Sequence, residues 1–343
     1  MDTLTHALTG ALVGRALAGD RHRVVTARAA TVAGAVAAAF PDADFVLNAF
    51  GQFAYLDLHQ GVTHSLPMMP VWAWLLALVS AWVYDRRSWR RSGGRLKLTL
   101  EFLPVTLAAL AAHTIADAMN IWGVMLWWPV NEVRTAFNAI FVIDPLYSAL
   151  VIAGIVLSSA WRVRAGAALG LVLVAAYTLV ALGVNAHTNR LVAALPAAES
   201  ARSAEQQAAP PSLLHRRFVL RDDDGWRYGF VDLDARGART PGNRWWTRFS
   251  AAFGSVDAIA WRYALHPDGA GEFVQTAWAR PELDSFRRFV ALPYVYAVDA
   301  EGDTVCAWFA DLRFALPEVT QPFVWGACRA PENQWEVRQR GRW

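Results

Sequence analysis

The stretch Leu58-His59-Gln60-Gly61-Val62-Thr63-His64-Ser65 stands directly before an apolar run at 66–84. Two histidines five positions apart, with a glycine between them, thus sit where a hydrophobic helix begins. Imidazole beside a membrane span is costly unless a partner or a metal ion satisfies it. A turn at Gly61 can bring both rings inward, and Thr63 or Ser65 can cap the next helix. Further candidate ligands recur at comparable places: His6, Asp42, Asp44, His113, Asp117 and Asp144. The sequence predicts that these converge on one metal site at the rim of a helical membrane bundle.

Outward from this stretch, the chain reads as a series of apolar helices. Asp2 and Thr3 can cap a helix over 4–18 that carries His6 in its first turn and is rich in small residues, Gly10, Ala11 and Gly14. A second helix is expected over 24–40, stopped by Pro41. Pro41-Asp42-Ala43-Asp44 opens a loop, expected to run through 63. After the span at 66–84 comes a basic connection, Arg86 to Lys97, and then a helix over 98–119 that ends on His113 and Asp117. A Trp-rich loop follows, with Trp122, Trp127 and Trp128 suited to the membrane interface. Asp144-Pro145 starts a span to 161, and 165–184 forms the last one.

Topology follows from the distribution of positive charge, which favours the cytoplasmic side. Arg21, Arg23 and Arg28, then Arg86 to Lys97, then Arg162 and Arg164 occupy alternate connections, whereas 41–63 and 120–143 hold one basic residue between them, Arg134. The N-terminus is therefore expected outside. The same alternation gathers every candidate ligand on the extracytoplasmic face, although the charge rule takes no account of ligands.

The composition agrees with two segregated parts. The chain is 55% hydrophobic over 343 residues, with only 18% charged and a net charge of +3, so nothing argues for nucleic acid. The N-terminus lacks the basic region and cleavage site of a signal peptide, so the first helix is expected to be retained. After residue 184 the character changes. The expected organisation is a membrane domain over 1–185, a linker over 186–212, whose stretch 191–212 is rich in Ala, Pro, Ser and Gln and reads as a linker or frayed helix, and a soluble domain over 213–343. In the last part, short runs alternate with turn signals such as Asp222-Asp223-Asp224-Gly225 and Asp299-Ala300-Glu301-Gly302. The fold class is thus an α-helical multi-pass membrane bundle followed by a soluble α+β domain, mainly antiparallel sheet. An oxidising compartment would allow Cys306 and Cys328 to pair.

Singly, each candidate residue has a structural explanation. His113 and Asp117 share one helix face a turn apart, and an interhelical hydrogen bond would account for both. His59 and His64 could titrate in water; Asp42 and Asp44 could be solvated loop carboxylates. His6 could be a satisfied capping residue, and Asp144 an N-cap. His22 and His187 fall outside the cluster, and His215 and His266 lie in the soluble part. The combination is what argues for a metal. A mixed nitrogen and oxygen donor set without thiolate suits zinc best, with manganese the next fit. The expected ligands are His6, Asp42, His59, His64, His113 and Asp117. Asp44 or Asp144 would be the catalytic base or would orient a ligand histidine.

Met1-Asp2-Thr3-Leu4-Thr5-His6, Pro41-Asp42-Ala43-Asp44, the His59 to Ser65 stretch and His113-xxx-Asp117 occur in this order. In these four motifs the chain resembles the membrane-bound metal-dependent hydrolase family, also called YdjM-like or LexA-binding inner-membrane-associated hydrolases. The resemblance covers residues 1–185 and implies a multi-pass inner-membrane protein with metal-dependent hydrolytic activity. One departure is Gln60, where the family motif has arginine, which bears on substrate preference. The expected function is a hydrolase whose site faces the extracytoplasmic membrane rim and acts on a lipid or lipid-linked phosphoester. The bilayer and that substrate are the expected partners. The competing expectation is a non-catalytic metal-binding scaffold or regulator that works through its C-terminal domain.

Overall fold

The computed structural model describes residues 1–18, 25–85, 94–237, 240 and 242–341. The chain forms two compact units, Met1–Gly183 with Pro210–Ser212, and Val184–Ala209 with Leu213–Trp343. The basic clusters at Arg21 and Arg23 and at Arg86–Arg91, together with His22, lie outside the described residues.

The first unit is helical: α1 (Thr3–Leu17), α2 (Ala27–Ala39), a 3-10 segment (Pro41–Phe50), α3 (Gln52–Leu58), α4 (Met69–Asp85), α5 (Arg95–Ala118), α6 (Pro145–Ala160) and α7 (Val163–Ala193). Asp2 caps α1 by accepting from the Thr5 N–H at 3.0 Å, as its position predicts. Asp144 caps α6 in the same way, accepting from Tyr147 N at 2.9 Å, with Pro145 in the first turn.

Small residues set how closely α1 and α2 approach. A Cβ added at Gly10 would lie 2.2 Å from the Gly34 carbonyl oxygen, and one at Gly34 would lie 2.2 Å from the Gly10 carbonyl oxygen. The two backbones therefore touch through glycines, the arrangement that small residues permit between apolar helices. Gly10 is four residues, about one turn, after His6. Gly34→Ala is expected to push α1 away from α2, at about 1–3 kcal/mol for an overpacked contact. Gly183 has open space at its Cβ inside α7, so Gly183→Ala should cost nothing and gain up to about 1 kcal/mol in helix propensity. Thermal unfolding in detergent checks the pair; equal melting temperatures would rule out the close contact.

The expected loop over 41–63 is instead helical for most of its length. Pro41 bends the chain rather than ending helical structure, and the 3-10 segment leaves α2 at 43°. Asp42 and Asp44 sit in its first turn, where the helix dipole favours carboxylates. α7 also departs from expectation: it continues nine residues past 184 to Ala193, because nothing before Pro196 stops it.

Among the described residues two helices, α5 and α7, are long and apolar enough to cross a membrane, and a third crossing exists if α2 and the 3-10 segment form one broken span. At 17 and 16 residues, α4 and α6 are apolar but shorter. At 1.5 Å per residue they reach about 25 Å, against a hydrocarbon core of about 30 Å. The helical half is thus a membrane unit with two or three spans by this measure, fewer than the sequence suggested.

The second unit is built on two sheets. The first holds β1 (Ser203–Ala208), β2 (His215–Arg221), β3 (Gly225–Asp232) and β4 (Phe253–Gly254) in order, with β5 (Arg262–Leu265) also pairing β3. The second is an antiparallel meander of β6 (Pro293–Glu301), β7 (Thr304–Asp311), β8 (Val324–Arg329) and β9 (Trp335–Arg340). The turn signals at 222–225 and 299–302 fall between β2 and β3 and between β6 and β7, as expected. The stretch 186–212, expected to be a linker or frayed helix, holds the end of α7 and all of β1. β2 packs on both faces. Phe218 and Leu220 meet Val192 and Val231, while Val219 joins Trp226, Ala264, Leu292 and Leu312.

β2 also buries Arg217, which donates to the Arg313 and Ala315 carbonyls at 2.7 and 2.8 Å and to the Gln207 side chain. Burial pulls its pKa down to about 10, so it remains protonated at neutral pH. Cys306 and Cys328 lie directly opposite one another on β7 and β8 and form a disulfide.

Candidate metal centre

Each element delivers its ligands for a local reason. His6 lies in the first turn of α1, oriented by the Asp2 cap; Asp42 lies in the first turn after the Pro41 bend; His113 and Asp117 share one face of α5. One ligand atom from each of His6, Asp42, His113 and Asp117 lies within 4.8 Å of all the others, a grouping that could hold a metal ion. All but Asp42 are buried. The His6 and His113 rings stack with centroids 3.8 Å apart. His64 joins them, its Nε2 lying 2.9 Å from His113 Nε2 and 3.3 Å from Asp117 Oδ2.

The hydrogen bonds around the rings fix which nitrogens carry protons. His113 Nδ1 is 2.6 Å from the Ala38 carbonyl, which can only accept, so Nδ1 donates and Nε2 presents a lone pair. Thr63 Oγ1 donates to Asp44 at 3.3 Å and so accepts from His64 Nδ1 at 2.9 Å. His64 Nε2 then presents a lone pair as well. Two ring lone pairs thus face each other, with Asp117 Oδ2 3.3 and 3.4 Å from the two nitrogens. Only a proton or a cation between them makes this arrangement stable. Asp42 Oδ2 is a second sign: it is buried and has no hydrogen-bond partner. The residues present therefore fit a cation.

His59 and Asp44 form an adjoining pair. His59 Nδ1 lies 2.8 Å from Asp44 Oδ1, and Asp44 Oδ2 accepts from Gln60 N and Thr63 Oγ1. His59 is therefore beside the four-residue grouping rather than within it. Asp144 stands apart: besides capping α6 it accepts from Tyr177 Oη at 2.7 Å. A cavity of about 320 Å³ opens onto the cluster, lined by Asp42, Tyr55, His59, Gln60, Asp117 and Trp122 among others.

Among the described residues, contributors that sequence reasoning did not single out include the Met1 amine, which donates to Asp117 Oδ1, and three side chains. Asn120 donates to Asp117 Oδ1 at 3.2 Å, Tyr55 stacks on His59, and Arg134 reaches Gln60. Asn120 is three residues after Asp117, a spacing that could have been noticed; the other two depend on tertiary contact.

A family model described as YdjM inner membrane protein matches residues 1–188, more than half of the chain. The chain belongs to the YdjM inner membrane protein family. The YdjM match takes in every residue of the cluster and ends inside α7, so the strand-rich domain lies beyond it. Among curated proteins, the uncharacterized protein YfhP of Bacillus subtilis (strain 168) is 26% identical over 151 residues, and the aligned part spans 42% of each chain. The YdjM-family chain thus covers less than half of that relative. No solved structure matches it.

Proposed function

We propose that this YdjM-family protein is an inner-membrane metal-dependent hydrolase whose site faces the extracytoplasmic rim and acts on a lipid or lipid-linked phosphoester. The observation that carries the reading is the meeting of the His64 and His113 lone pairs with Asp117, which also lines the adjoining cavity. His6, Asp42, His64, His113 and Asp117 would hold the ion, and their nitrogen and oxygen donors suit zinc first and manganese second. A bound divalent ion would supply Lewis acidity at the scissile group.

The chain's own residues prepare the site. The Ala38 carbonyl and Thr63 set the tautomers of His113 and His64, and Asp44 holds His59. With both Asp44 oxygens engaged, orienting His59 suits that carboxylate better than acting as a base. An amphiphilic substrate is supported by Phe45, Val46 and Phe50, which are 68%, 63% and 79% exposed on the 3-10 segment that also supplies Asp42. Elemental analysis of purified protein, with hydrolysis assays on phosphodiester and acyl lipids with and without chelator, tests the proposal. Stoichiometric metal and chelator-sensitive turnover are expected. Bound metal without turnover of any substrate would favour the scaffold reading.

The orientation is supported by the charge alternation and by the disulfide, since disulfides persist in oxidising compartments. In a background lacking the native cysteines, a cysteine at Ala54 should react with an impermeant reagent, and one at Ser92 should not. The opposite labelling would reverse the topology and the location of the site.

A further inference from the structure

Gln60 has every polar group engaged although its backbone sits at φ 60°, a left-handed conformation that few non-glycine residues adopt. Its N–H donates to Asp44 Oδ2 at 3.2 Å, and its carbonyl accepts from Met125 N at 2.9 Å. The side chain lies between Arg134, whose Nη1 is 3.3 Å from Oε1, and Asp117, whose Oδ2 is 3.3 Å from Nε2. A primary amide can be turned either way round, with its oxygen and nitrogen exchanged. A guanidinium is donor-only, so Oε1 must face Arg134 and the NH₂ must face the carboxylate. The reversed amide would set donor against donor on one side and oxygen against oxygen on the other.

Arg134 is itself fixed by backbone carbonyls: Nη2 donates to Leu56 and His59 at 3.1 and 2.9 Å, and Nη1 also donates to Gly123 at 3.3 Å. Gln60 lines the cavity and Arg134 does not. From this we infer that Arg134 is a positioning residue for the metal centre: it fixes the Gln60 amide so that its NH₂ holds Asp117 in place. The inference rests on the metal-site reading above. It also gives Gln60 a task that an arginine at this position would perform differently, since Gln60 brings no charge to the cavity wall.

The test uses full-length protein in detergent with Co²⁺ as the probe, reading affinity by chelator competition and coordination by the visible ligand-field spectrum. Gln60→Ala and Arg134→Ala should each weaken Co²⁺ binding by about 10–100-fold, the usual cost of losing a partner that orients a ligand. The double variant should bind no more weakly than Gln60→Ala alone, because Arg134 acts through Gln60. Arg134→Lys keeps the charge but not the forked donors. It should recover part of the melting temperature lost in Arg134→Ala while Co²⁺ affinity and spectrum stay altered, an outcome that general loss of stability would not produce. Wild-type affinity and spectrum in Arg134→Lys or Arg134→Ala would overturn the inference, as would additive losses in the double variant. A wild type that takes up no Co²⁺ would refute the metal centre itself.

Discussion

His113→Ala is expected to remove the metal, while His187→Ala leaves it in place. His113 is the residue on which the cluster turns. Its Nδ1 is committed to the Ala38 carbonyl, its Nε2 meets His64 and Asp117, and its ring stacks on His6. Truncation deletes a donor and also frees the ring against which His6 rests. Binding should weaken by more than the ~10–100-fold that follows loss of an orienting partner, because a ligand itself is gone. His187 lies on an exposed part of α7 outside the grouping, so its loss controls for general effects of removing a histidine. Asp117→Asn should resemble His113→Ala, since the amide removes the negative charge on which His6, His64 and His113 converge. Metal content by elemental analysis, measured beside melting temperature, decides the matter. Equal metal in the His113, Asp117 and His187 variants would leave an interhelical hydrogen-bond cluster and nothing more.

The second large effect is expected at Asp44. If the acid were a free base, Asp44→Asn would spare the metal and lower turnover by roughly 10²–10⁴. The geometry points elsewhere. Asp44 accepts from His59 Nδ1, Gln60 N and Thr63 Oγ1, a set of donors that only a carboxylate satisfies in full. In Asp44→Asn one oxygen becomes an NH₂ facing a donor. The Gln60 N–H can only donate and keeps the remaining oxygen on the side it shares with Thr63, so the NH₂ faces His59, which should lose its orientation. Metal affinity should fall by about 10–100-fold together with turnover. Asp144→Asn should be mild, because asparagine caps a helix about as well as aspartate, and its NH₂ can donate to the Tyr177 hydroxyl, which accepts as well as donates. Metal binding unchanged in Asp44→Asn, with turnover lost, would restore the base assignment.

Much of the site was legible because its ligands lie at helix ends, where sequence signals are strongest. His6 follows a capping aspartate, Asp42 follows the proline at which the helix bends, and His113 and Asp117 share a helix face. Charge alternation placed them together without any contact information. What could not be read is what tertiary contact decides. His59 looked equivalent to His64, yet Asp44 claims its Nδ1, while His64 is turned toward His113 by Thr63. β1, Ser-Ala-Glu-Gln-Gln-Ala, has no strand pattern of its own and extends only because β2 offers it a full antiparallel register. α4 and α6 read as spans by composition, and only their lengths set them apart from α5 and α7.

Among the described residues, the ligands assigned to the site lie between positions 6 and 117, and α5 supplies the last two. A chain emerging from the ribosome therefore carries half a site for some time. Once α4 has formed, His6, Asp42, His59 and His64 are present, but the carboxylate that unites them has not been made. On the proposed reading, a complete donor set would exist only once α5 had packed against α1 and α2, and nothing after Asp117 needs to be synthesised to supply a donor.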